Sequence, residues 1–99
     1  VKSLIEHLNK AFESRVRLGI MSALVVNDAM DFNTLKRTLD LTDGNLASHT
    51  AALENEGFVK VTKEFVGKKP LTTYALTASG RKAFTEHLDA LEKLIKQAT

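Results

Sequence analysis

The chain has no cysteine. Disulfides and thiolate metal sites are therefore excluded, and a cytoplasmic location is expected. No apolar run approaches the roughly 18–20 residues that span a bilayer, so no membrane partner is expected. The opening segment, VKSLIEHLNKAF, has neither the apolar stretch nor the cleavage site of a signal peptide. Catalytic patterns are missing as well. There is no glycine-rich phosphate loop, no HExxH, no GxSxG and no acid–base pair of carboxylates, so the chain does not read as an enzyme. Its three histidines are His7, His49 and His87. Glu86, His87 and Asp89 are close in sequence, but His87 and Asp89 fall on different faces of a helix. No cysteine or second local histidine completes a set, so neither a metal nor another cofactor is expected. The excess of one charge over the other is small too, at a net +2 with a pI near 9.0. That balance permits a nucleic-acid partner without demanding one.

What is present reads as one domain of 99 residues, 43% hydrophobic and 26% charged. Leu4, Ile5, Leu8 and Phe12 recur at helical spacing and predict a first helix over 2–12. Ser14 is placed to cap a second helix whose apolar face is Val16, Ile20, Met21 and Leu24. Met30-Asp31-Phe32 reads as a three-residue strand, and Asn33 as the cap of a short helix burying Leu35 and Leu39. Thr42 caps the next helix, with Leu46, Thr50 and Leu53 inward and Gly57 at its end. Strands over Phe58–Phe65 and Thr72–Leu76 flank a turn at Gly67-Lys68-Lys69-Pro70. Thr77 caps a last helix over 78–98, in which Phe84, Leu88, Leu91 and Ile95 form a stripe. The expected fold class is α+β, a winged helix-turn-helix with about five helices, a small antiparallel sheet of two or three strands and a β-hairpin wing.

Two helices joined by a turn and followed by a hairpin can place one helix in a major groove and the hairpin on the backbone. Charge follows that division. The hairpin carries Lys60, Lys63, Lys68 and Lys69 against Glu64 alone. The helix from Thr42 to Gly57 carries Asp43, Glu54 and Glu56 and no lysine or arginine.

The motifs, in order, are Thr42-Asp43-Gly44-Asn45-Leu46, Leu53-Glu54-Asn55-Glu56-Gly57-Phe58, the run from Phe65 to Thr77, and Ala78-Ser79-Gly80. Together they resemble the winged helix-turn-helix domains of MarR- and ArsR-type transcriptional regulators, particularly the small stand-alone ones. The resemblance covers nearly the whole chain. It implies a homodimer that binds double-stranded promoter DNA in a sequence-specific way. Relatives often carry a basic residue at the position of Ala51, arginines at Leu71, Thr73 and Ala75, and leucine at Thr50. Fewer cations here imply fewer phosphate contacts.

Base edges call for short polar groups on the first turns of the inserted helix, which nominates Thr42, Asp43, Gly44, Asn45, Ser48 and His49, with Ala52 alongside. Asn45 suits adenine, and Gly44 allows close approach of a phosphate to free backbone N–H groups. The bland reading of Gly44 and Asn45 is helix-start chemistry, and that of His49 is packing at the edge of the core. Asp43 complements the helix dipole but repels phosphate. Lys68 and Lys69 suit phosphate contact or minor-groove entry. Arg15 and Arg17, like Lys36 and Arg37, are placed for backbone contact, although Arg17 can instead pair with an acidic residue. For the dimer, Leu4, Leu8, Phe84, Leu88, Leu91 and Ile95 offer surplus apolar surface. The competing reading is a winged-helix protein–protein interaction module with little DNA affinity. A third is a repressor gated by a small-molecule effector bound between the terminal helices, for which the chain has little extra length.

Overall fold

The computed structural model describes residues 5–98. Ser14 opens α1 (Arg15–Val26) by accepting a hydrogen bond from the Arg17 N–H, and the helix buries Ile20, Met21 and Leu24. A short strand, β1 (Met30–Asp31), leads directly into α2 (Phe32–Leu39). Asp31, not Asn33, is the cap of α2. Its carboxylate accepts from the Thr34 N–H at 3.1 Å and the Thr34 hydroxyl at 2.6 Å, bonds that hold its pKa below the ordinary 3.8. Asp40 closes α2 in the left-handed region, and Thr42 starts α3 (Asp43–Asn55) by accepting from the Asn45 N–H at 3.2 Å.

The end of α3 is a paired cap. Gly57, at φ +79°, donates to the Glu54 carbonyl, and Phe58 donates to the Leu53 carbonyl. The chain then enters β2 (Val59–Val66), reverses, and returns as β3 (Lys69–Leu76). The strands are antiparallel in the order β1-β3-β2, with Val61 opposite Tyr74 and Phe65 opposite Pro70. The turn has two residues, Gly67-Lys68, where a four-residue connection was expected. Positive φ is confined to Gly67, the pattern of a type II′ turn that matches strand twist, so Lys69 and Pro70 stay paired.

α4 (Ala78–Ala98) is 21 residues long, or about 32 Å. The molecule measures 54 × 25 × 21 Å, elongated well beyond a sphere. Gly80 is required at the start of α4, because a Cβ there would run into the Phe58 backbone carbonyl. The core lies between α1, α3 and the sheet, with Phe12, Ile20, Met21, Leu24, Leu35, Leu46 and Leu53 fully enclosed.

Besides the helical residues 5 and 6, four α-helices are present among the described residues, where about five were expected. The difference is at the start of the chain. Leu4 lies outside the described residues. Residues 5 and 6 are helical, but the helix does not continue to Phe12. The chain turns and re-forms as a 3-10 helix over Lys10–Phe12. Asn9 causes the break. Its side chain accepts from the Ala11 N–H at 2.9 Å, and its backbone N–H donates to Nδ1 of His87 at 3.0 Å. A side-chain cap and a tertiary bond thus replace the helical ones. Phe12 then packs against Phe58, Phe84 and His87 with ring centroids 5.3–5.4 Å apart.

Because Nδ1 of His87 accepts a hydrogen bond, the buried ring is neutral. Burial pushes its pKa below the ordinary 6.5, and the nearby Glu13 carboxylate opposes the shift. The unfolded chain therefore takes up this proton first. Stability should be intact above about 6.5, fall as pH drops through that value, and level off below the folded pKa. Thermal unfolding from pH 8 to 5 should show this loss, and His87→Gln, which keeps an acceptor for Asn9, should show less of it. Equal pH dependence in the two proteins would refute the assignment.

Candidate nucleic-acid interface

The first turns of α3 expose a polar surface. Thr42, Asp43, Gly44, Asn45 and Ser48 are all exposed, as are Ala47 and Ala51, while Leu46, Thr50 and Leu53 anchor the opposite face. Thr50, where leucine is usual, is buried without an orphan hydroxyl. Its Oγ1 donates to the Leu46 carbonyl at 2.7 Å. Capping falls to the Thr42 oxygen, so the Asn45 side chain is not used for it. Gly44 has no internal reason to be glycine, because a Cβ there would meet nothing within 4 Å. Its bareness leaves the helix N-terminus open to a close-approaching group.

The charges around this face are rearranged from what the sequence suggests. Lys36 on α2 reaches across the turn to Asp43, Nζ to Oδ1 2.6 Å. That pair offsets the one carboxylate in the first turn of α3. Arg17 on α1 does not pair with an acidic residue. Its Nε–H donates to Nδ1 of half-buried His49 at 3.1 Å, so His49 acts as a packing residue that holds Arg17 beside α3. Arg15 is exposed at the start of α1.

The hairpin stands beside this surface. Lys68 is at its turn and Lys69 opens β3, both exposed. Lys63, not among the expected site residues, lines a groove between α3 and the hairpin with Ala47, Ala51, Glu54, Val61 and Tyr74. The alternation Val59, Val61, Lys63 places it on the face that packs toward α3. Tyr74 is buried at the base of the groove, and burial raises its pKa above 10.0, so the phenol is neutral. Among the described residues, no group of three histidines and carboxylates is arranged to hold a metal ion. None of the described helices is long and apolar enough to cross a membrane.

Residues 16–95 match the winged helix DNA-binding domain family. The chain belongs to that family. This winged-helix chain is 38% identical over 87 residues to an uncharacterised protein of Methanocaldococcus jannaschii, covering 88% of this chain and 95% of the relative. Among solved structures, a transcriptional regulator homologue from Pyrococcus horikoshii superposes with a TM-score of 0.89 at 32% identity, covering 99% of this chain and 98% of the other. The DNA-bound form of reduced AbfR shares the fold, with a TM-score of 0.74 at 21% identity over 93% of this chain and 64% of its own. The likeness to winged-helix transcriptional regulators holds, and the family is not an enzymatic one.

The apolar residues expected at a dimer interface divide into two sets. Phe84 is 3% exposed and belongs to the chain's own core, edge-on to Phe12. Leu88 and Ile95 remain 45% and 66% exposed, and Leu8 and Leu91 are half-buried.

Proposed function

We propose that this winged-helix domain is a homodimeric, sequence-specific transcriptional regulator that reads promoter DNA with α3 and holds the flanking backbone with its hairpin. The observation that carries this reading is the bare, polar N-terminal face of α3, its lone first-turn carboxylate paired with Lys36, beside a hairpin bearing Lys63, Lys68 and Lys69. Asn45 and Ser48 supply base-edge donors and acceptors. Thr42, Gly44 and the free N–H groups of the first turn suit a phosphate, and Arg15 is open to the backbone. The Lys36–Asp43 pair is partly exposed, the kind of interaction worth about 0–1 kcal/mol. Lys36 can therefore exchange Asp43 for a phosphate at little cost.

The dimer is proposed from α4. A stripe with Leu88 and Ile95 exposed and Leu91 and Leu94 half-buried runs along a helix that extends beyond the core. An isologous interface along it, with residues 2–12 contributing, covers that surface and carries two α3 helices into successive grooves, about 34–36 Å apart. A protein–protein interaction module is the second reading, favoured by the absence of lysine and arginine on α3 and by the engagement of Arg17 with His49.

Binding to duplex DNA at several salt concentrations separates these readings. Lys68→Ala and Lys69→Ala should weaken binding to all sequences alike and lower the salt slope by about one unit for each phosphate left without its lysine. Asn45→Ala and Ser48→Ala should instead relax preference at particular base pairs, by about 1–3 kcal/mol at a preferred site. Absence of duplex binding at low salt would leave the interaction module. Sedimentation at tens of micromolar should show a dimer, and Leu91→Glu a folded monomer. A wild-type monomer would refute the proposed assembly.

A further inference from the structure

The outer half of the hairpin exposes apolar side chains that no part of the protomer uses. β1 pairs with β3 only at Thr73 and Tyr74, so the sheet beyond that point is a two-stranded ribbon. At its end Phe65 is 74% exposed and Val66 is 61% exposed. Phe65 lies directly opposite Pro70, and residues opposite one another in a ladder share a face. That face also carries Val59, Val61 and Tyr74, the side of the sheet on which α3 packs. The Phe65 and Pro70 rings therefore lie on the sheet face that, nearer the core, lines the groove with Ala47, Thr50, Ala51 and Glu54 of α3. Lys63 stands two residues away on this face, Lys68 is at the turn, and Lys69 follows. Glu64 points to the opposite face.

We propose that Phe65, backed by Pro70, is an apolar wedge that enters a DNA minor groove next to the site of α3 and selects a deformable base step there. This rests on the DNA-binding reading and assigns the hairpin a role in specificity, beyond holding phosphates. An apolar side chain set among lysines matches a minor groove, which presents base edges and sugars between two rows of phosphate. Side chains such as phenylalanine and proline can part a base step there and kink the duplex. Pyrimidine–purine steps yield most readily, so the wedge generates preference where no hydrogen bond reads a base. The two-residue turn and the paired Val66 and Lys69 keep the ribbon regular to its tip, which holds Phe65 out from the core.

The test uses the full chain and the DNA site that it selects from a random pool. Phe65→Ala should bind that site about tenfold more weakly, the scale of removing one stacked aromatic ring. It should bend the DNA less in circularly permuted fragments and lose the preference for a pyrimidine–purine step outside the half-sites. Its salt slope should equal that of the wild type, because every phosphate keeps its cation, and Phe65→Leu should restore most of the affinity and bend. If Phe65→Ala binds and bends as the wild type does, the wedge is overturned and the DNA reading stands. If the wild type binds no duplex, both are overturned. Loss of the dimer in Phe65→Ala would assign the tip to a protein interface. Binding to phosphatidylserine vesicles that requires Phe65 and competes with DNA would assign it to a lipid surface. Either result overturns the proposal.

Discussion

The hydroxyl of Thr77 joins the two helices on which the rest of the architecture is hung. It donates to the Gly57 carbonyl at 2.6 Å, at the end of α3, and accepts from the Gly80 N–H at 2.9 Å, in the first turn of α4. The Thr77 N–H donates to the Phe58 carbonyl, against which Gly80 packs with no room for a Cβ. Both strands of the hairpin are anchored at this junction, β2 starting at Val59 and β3 ending at Leu76. The angles between α3, the hairpin and the long helix proposed for dimerisation are therefore set by one cluster of four residues. Phe58 extends the constraint to the N-terminal segment through its ring contact with Phe12.

Much of this was legible because helix ends are local chemistry. Ser14, Thr42 and Thr77 cap as their spacing predicts, and Gly57 takes the positive φ expected of it. Two local reads failed where a competitor stood nearby. Asp31 precedes Asn33 and reaches Thr34, so α2 begins earlier than expected. Asn9 interrupts an apolar repeat that looks helical throughout, because its backbone N–H finds His87, distant in sequence. Apolar periodicity says which residues share a face but not where a core stops. Phe65 continues the alternation of Val59 and Val61, yet the strand has left the core by then. Phe84 and Leu88 read as one stripe, but helical drift turns the first inward and the second outward.

The exposed face of the candidate site was legible for a similar reason. Exposure of Asn45 and Ser48 follows from burying Leu46, Thr50 and Leu53 on the other face of α3. Pairings between elements were not legible. The Lys36–Asp43 ion pair joins two helices across a turn, and the Arg17–His49 bond joins residues of α1 and α3. Both alter the electrostatics of the exposed face of α3. One neutralises a carboxylate that would face phosphate, and the other holds a cation beside a helix that has none of its own. With so little positive charge on α3, the proposed binding mode leaves long-range attraction to the hairpin and discrimination to short polar side chains and to shape.

The central claim is that α3 enters a major groove, twice per dimer. Chemical footprinting on a selected site tests it most directly. Dimethyl sulfate should report protection of guanine N7, a major-groove atom, in two patches about one helical turn apart on one face of the duplex. Protection confined to the backbone, or a single patch with no symmetry mate, would contradict the account.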